Sequence, residues 1–193
     1  MRVLVIYAHP VETSYAAALH ATVLHALGTR HDVRDLDLYA EEFDPRLSRA
    51  ERIAYHDTAL NIAPVARYVD MLRWAEAVVF CFPVWCFGLP AILKGFFDRV
   101  LIPGVAFDIA GARVTPRLTH IRQIVAVTTY GRSRRATLFS VGDLPRAHIA
   151  RYFRWFCGRA ARVRYLALYD LNRTDDGRRA RFLTRVQREL RAI

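Results

Sequence analysis

The chain has 193 residues, 53% of them apolar, which suits one domain with a full core. Met1-Arg2 leads straight into an apolar strand pattern with no signal region, no stretch approaches a membrane span, and Cys81, Cys86 and Cys157 fit neither a disulfide framework nor a zinc site, so a cytoplasmic protein without a metal is expected. The net charge of +11 lies wholly in Arg132–Ile193, where sixteen arginines face five acids; they are interleaved with apolar residues at helix and strand periods, which reads as solvated faces and no nucleic-acid partner.

Val3-Leu4-Val5-Ile6-Tyr7 reads as a buried first strand. After the loop Ala8–Ser14, Tyr15, Ala18, Leu19, Thr22, Val23, Ala26 and Leu27 stripe a helix that ends at Gly28, with Thr13 or Ser14 suited to its N-cap. A helix start of this kind turns free amides and a positive dipole end outward, which suits a phosphate, although an ordinary cap explains the same residues. A strand at Val33–Leu38, a helix at Ser48–His56 and a helix striped by Val65, Tyr68, Val69 and Leu72 follow.

The chain is organised around its next stretch. Ala77-Val78-Val79-Phe80-Cys81-Phe82 is apolar throughout and reads as a strand buried on both faces, stopped by Pro83. Gly88 and Pro90 open a helix whose apolar face is Ile92, Leu93, Phe96, Phe97, Val100 and Leu101. Between them the loop Val84–Gly88 carries two aromatic rings and a thiol, poor core material and good flat-ring binders. A partly extended excursion at Val105–Val114 precedes a fourth strand at Ile121–Thr128. A polar loop comes next, then a helix striped by Ile149, Tyr152, Phe153 and Phe156, a fifth strand at Val163–Tyr169, and a last helix through Phe182, Leu183, Val186 and Leu190.

Strands alternating with helices imply a parallel sheet with right-handed crossovers. Five units predict a single α/β domain over residues 1–193, a flavodoxin-like three-layer sandwich with strand order 2-1-3-4-5. In that order ligands bind beyond the carboxyl ends of strands one and three, where the winding reverses. The loops His9–Ser14 and Val84–Gly88 therefore meet at one crevice. No GxGxxG, P-loop, GxSxG or HExxH motif competes with it.

The run Pro83, Phe87-Gly88, Pro90-Ala91-Ile92-Leu93-Lys94-Gly95 and Phe97-Asp98-Arg99 resembles the isoalloxazine-binding motif of the flavodoxin-like NAD(P)H:quinone reductases. Ala8-His9-Pro10 with Thr13-Ser14-Tyr15 is similar to the family's phosphate loop, and Asp37-Leu38-Tyr39, Phe43-Asp44-Pro45 and Leu47-Ser48 resemble its fold markers. Thr128-Thr129-Tyr130-Gly131 resembles the turn that holds the flavin edge, with Tyr130 where the family has Gly; Cys86 stands where the family often has an aromatic.

The resemblance implies a bound flavin, FAD or FMN, held by His9, Thr13, Ser14 and Tyr15, by Pro83, Val84, Trp85, Cys86, Phe87 and Gly88, and by Thr128, Thr129, Tyr130 and Gly131. It implies ping-pong hydride transfer from NAD(P)H to a quinone-like acceptor in a homodimer with sites at the subunit interface, where Phe107 and Tyr130 are candidates to line the pocket. The family's later His is missing, Val141 being its nearest equivalent, which leaves Tyr130 or water as proton donor. An electron carrier, a regulatory subunit of a membrane transporter, and a nitro or azo reductase are the alternatives. Arg132, Arg134 and Arg135 are expected on a loop at the crevice mouth, either gripping the extra phosphate of NADPH or simply solvated.

Overall fold

The computed structural model describes all residues, Met1–Ile193. Five strands form one parallel sheet: β1 Arg2–Tyr7, β2 Asp32–Asp37, β3 Ala77–Val84, β6 Gln123–Tyr130 and β7 Arg162–Leu168. Their order, β2-β1-β3-β6-β7, is the expected 2-1-3-4-5 once the hairpin of β4 Phe107–Ala110 and β5 Arg113–Pro116 is set aside as a separate two-stranded sheet. That hairpin is the excursion after Val105, now with defined antiparallel pairing from Phe107↔Pro116 to Ala110↔Arg113.

Alternation along each strand sorts the core into two layers. Val78, Phe80 and Phe82 join the larger cluster beneath α3 Ala66–Trp74 and α4 Ala91–Val100, together with Ile149, Phe153 and Phe156. Ala77, Val79 and Cys81 join the other cluster, beneath α1 Tyr15–Leu27 and α8 Asp176–Arg191. No residue from Ala77 to Phe82 is more than 1% exposed, as an all-apolar strand between two helical layers requires. The edge strands β2 and β7 carry Asp32, Arg34, Asp35, Arg162 and Arg164, which keep the sheet margins polar. No helix is long and apolar enough to cross a membrane.

Several expectations need correction. Pro83 does not stop β3, which runs to Val84 and stays paired with β6 through Pro83↔Thr129 and Val84↔Tyr130. The Ala8 N–H donates to the Cys81 carbonyl at 3.0 Å, so the β1-facing side of β3 is the side of residues 81 and 83. The β1 pairing ends at Tyr7↔Cys81, and the donor that Pro83 lacks is not needed there. The stretch after β6 is not a plain loop: α5 Arg134–Val141 starts at Ser133, whose hydroxyl caps the Ala136 N–H. The helix striped by Ile149 and Phe153 is one run of three pieces, α6 Leu144–Ala147, a π-helical turn at His148–Phe153 and α7 Arg154–Cys157.

The fold markers prove to be one packed joint. Phe43 is buried against Tyr68 and Phe96 at ring distances of 5.0 and 5.8 Å. Pro45 lies so close to α4 that a Cβ on Gly95 would stand 2.3 Å from its carbonyl oxygen. Arg99 donates to the Asp44 carbonyl and pairs with Glu51 at 2.7 Å, and Glu51 closes a capping box with Ser48 at the start of α2 Arg49–Ile53.

Candidate functional site

Loop Ala8–Ser14 and the turn after β3 meet over the carboxyl ends of β1 and β3. His9 Nδ1 accepts the Val11 amide at 3.0 Å, which leaves the ring proton of the neutral imidazole on Nε2, free to donate. Its ring lies 5.6 Å from that of Trp85, tilted by 56°. Ser14 is the N-cap of α1, its Oγ accepting from the Ala17 N–H at 3.1 Å. The first amides of α1, at Tyr15 and Ala16, have no intrahelical acceptor, and both residues line the cleft. The first turn of α1 holds no acidic residue to compete for the positive end of its dipole.

The β3 loop is a tight two-residue turn. The Gly88 amide donates to the Trp85 carbonyl at 2.8 Å, and the Trp85 amide returns a bond to Gly88 at 3.3 Å. Both central residues, Cys86 and Phe87, have positive φ, at 48° and 59°. Each non-glycine residue held there costs on the order of 1 kcal/mol or more. The turn leaves Trp85 41% exposed and the Cys86 thiol free and exposed.

These parts wall a cleft of about 520 Å³ lined by His9, Ser14, Tyr15, Ala16, Pro83, Val84, Trp85, Cys86, Thr129 and Gly131, and completed by Leu171 and Asn172. Phe87, Tyr130, Arg132 and Thr137 line a smaller recess of about 170 Å³ that shares Val84, Cys86 and Gly131 with the cleft. Gly88 closes the turn without lining the cleft. Thr13 is exposed and Thr128 fully buried, and neither lines the cleft. The hydroxyls of Tyr7, at the end of β1, and Thr128, near the end of β6, are buried on opposite faces of the sheet, and neither residue lines the cleft. Burial pushes the Tyr7 hydroxyl up to about 12, so it stays protonated and able to donate.

Other expected site residues are placed differently. Tyr130 is 1% exposed and its hydroxyl is bound away from the cleft, donating to Asp143 at 2.5 Å and meeting the Tyr165 hydroxyl at 2.6 Å. Tyr169 donates to the other Asp143 oxygen at 2.7 Å and stacks on Tyr130 at 4.3 Å. Burial first, then the neighbouring Tyr165 and Asp143, drive the Tyr130 hydroxyl far above its ordinary range. A proton-donor role for Tyr130 does not fit this geometry. Phe107 stacks on Phe156 at 5.6 Å in the core margin and does not reach the cleft of its own chain. Arg132 stays in the loop after β6, whereas Arg134 and Arg135 form the first turn of α5 and line none of these cavities.

Sequence reasoning missed Leu171 and Asn172. They lie in the loop after β7, at a strand carboxyl end, the same topological position that singles out the other two loops.

Comparison with known proteins agrees with this architecture. The family profile described as flavodoxin-like fold matches residues 1–190. Human ribosyldihydronicotinamide dehydrogenase [quinone] is 33% identical over 183 residues, covering 81% of this chain and 77% of that protein. Rat NAD(P)H dehydrogenase [quinone] 1 is 32% identical over 162 residues, covering 74% of this chain but 59% of its own length. Among solved structures, the Smu.1420 protein of Streptococcus mutans superposes with a TM-score of 0.88 at 29% identity, with all of both chains covered.

Proposed function

We propose that this chain, which belongs to the flavodoxin-like NAD(P)H:quinone reductase family, holds a flavin in the His9–Trp85 cleft and uses it to reduce a quinone-like acceptor with electrons from NAD(P)H. The observation that carries the reading is the meeting of the phosphate-suited loop and the aromatic turn across one cleft, His9 beside Trp85 at 5.6 Å. A bound flavin supplies the two-electron chemistry, taking hydride from the nicotinamide and passing it on.

The residues fit such a group. Free amides at the start of α1, the Ser14 hydroxyl and His9 Nε2–H form a set of donors for a phosphate. Trp85 supplies a flat apolar wall, and the turn Trp85–Gly88 presents backbone rather than long side chains to a ring edge. Thr129 and the Gly131 backbone bound the opposite side. Hydride carries two electrons and one proton, so one further proton is needed when a quinone becomes a hydroquinone. With Tyr130 locked into its network, solvent entering the open cleft is the proton source this reading adopts.

The reading extends to a cytoplasmic homodimer. It is supported by a groove of about 620 Å³ on the face of α4 and the 144–157 helical run, where Leu144, Tyr152 and Trp155 are each more than 40% exposed. Three unpaired cysteines suit a reducing compartment. The azo compounds named for structural relatives are a variant acceptor class for the same chemistry.

The test is direct. Purified protein should be yellow, release a flavin on denaturation, and oxidise NAD(P)H with a small quinone by ping-pong kinetics. Protein that stays colourless after incubation with FMN and with FAD refutes the proposal. A carrier or regulatory role would instead show bound flavin with no nicotinamide turnover.

A further inference from the structure

A second cavity adjoins the cleft. It has about 380 Å³ and is lined by Gly131, Arg132, Ser133, Ala136, Asp170, Asn172 and Arg173, of which Gly131 and Asn172 also line the cleft. Two loops that follow neighbouring strands build it, and they are joined. The Asp170 amide donates to the Arg132 carbonyl at 2.9 Å, and the Arg173 amide donates to the Asp170 carbonyl at 3.0 Å. The Thr174 hydroxyl also donates to that Asp170 carbonyl, at 2.8 Å. Asp170 sits at φ 64°, in the left-handed region that Asp enters more readily than most residues. Both arginines are thus anchored to one rigid corner.

Their guanidinium groups are unemployed. Neither Arg132 nor Arg173 belongs to an ion pair, although nine such pairs exist elsewhere in the chain. The eight-residue helix α5 begins at the same wall, where Ser133 and Ala136 line the pocket, and adds the positive end of its dipole. Asp170 contributes one carboxylate, so the pocket carries a net single positive charge. That carboxylate can accept a sugar hydroxyl, which makes a phosphorylated ribose a better match than a bare anion.

We infer that this pocket is a phosphoryl-ribose subsite for the nicotinamide dinucleotide, with Arg132 and Arg173 as the specificity-determining residues. The inference rests on the proposed NAD(P)H reaction and moves the expected phosphate contact from Arg134 and Arg135 to Arg173, on a loop that sequence periodicity did not single out. The phosphoryl group could be the 2′-phosphate of NADPH or a 5′-phosphate common to both dinucleotides, and the test separates them.

Titration calorimetry on flavin-loaded protein would measure 2′,5′-ADP and 5′-AMP, with wild type, Arg173→Gln and Arg135→Gln. Loss of one charge-assisted contact should weaken binding by about tenfold. Weakening of 2′,5′-ADP alone by Arg173→Gln, with a matching rise in the Michaelis constant for NADPH only, assigns the 2′-phosphate. Equal weakening of both ligands, with both Michaelis constants raised, assigns the 5′-phosphate. No change in either ligand, or an equal loss in Arg135→Gln, overturns the subsite, since the latter would mean diffuse attraction. Absence of nicotinamide oxidation in wild type would refute the proposed reaction separately, while the calorimetry still judged the pocket.

Discussion

Replacing Gly95 with Ala sets two effects of opposite sign against each other. Gly95 lies inside α4, where helix propensity alone favours Ala by roughly 0.8–1.0 kcal/mol. The added Cβ would stand 2.3 Å from the Pro45 carbonyl oxygen, 2.4 Å from its Cβ and 2.5 Å from its Cα. None of these atoms is the end of a flexible side chain, so the Phe43–Arg46 segment must move as a unit. Moving it disturbs the Phe43 ring between Tyr68 and Phe96 and the Arg99 bond to the Asp44 carbonyl. Overpacking of this kind costs about 1–3 kcal/mol, and loss of a hydrogen bond to a charged group about 1.5–3 kcal/mol. The net expectation is a destabilisation of about 1.5–5 kcal/mol after the propensity gain is subtracted. At roughly 2–4 °C per kcal/mol for a chain of this size, the melting temperature should fall by about 3–20 °C. Calorimetry or urea melts with matched flavin loading would measure it. A melting temperature equal to or above that of wild type would refute the close approach of Pro45 to α4.

Trp85→Ala should weaken flavin retention several-fold, because an aromatic stack contributes about 0.5–1.5 kcal/mol beyond its area, while Cys86→Ala should change it little; equal retention in the two variants removes Trp85 from the site. Tyr130→Phe leaves Asp143 short of one buried donor and should cost about 1–3 kcal/mol of stability with little change in quinone turnover, whereas a collapse of turnover at unchanged stability would restore Tyr130 as proton donor. Glu51 provides a pH signature: burial raises its carboxyl, but the bonds from Ser48 and Arg99 outweigh that and hold it below its ordinary 4.5. Its contribution to stability is therefore complete above that ordinary value and is lost as pH falls through the lower folded value. Acid melts should show wild type losing its advantage over Glu51→Gln in that window, and a constant gap between them would contradict the pairing.

The centre of the sheet was legible because β1 and β3 are short apolar runs with polar punctuation, and burial on both faces leaves no other state for Val3–Tyr7 or Ala77–Phe82. The crevice was legible through topology, since the strand order decides which loops are neighbours. What escaped was set by distant partners. Tyr130 is bonded to Asp143 and Tyr165 and stacked on Tyr169, positions that no local period connects. Helix α5 escaped because its apolar residues Leu138, Phe139 and Val141 are exposed, Phe139 by 89%, so no buried stripe marks it. Pro83 was misjudged because its effect on a strand depends on which neighbour its missing amide would have faced.

The turn at Cys86 and Phe87 has a consequence for anyone wishing to alter which acceptors the enzyme takes. At φ 48° and 59° the backbone, not the cleft, decides which side chains these two positions tolerate. Gly, Asn and Asp enter the left-handed region readily, whereas Val, Ile and Thr do not, whatever their fit to a substrate. A saturation library at Cys86 or Phe87 would thus be filtered by conformation before it sampled chemistry, and its β-branched members would be lost as misfolded turns. Val84 ends a regular strand and lines both the cleft and the adjoining recess, so it is the position where side-chain size can be varied without that filter.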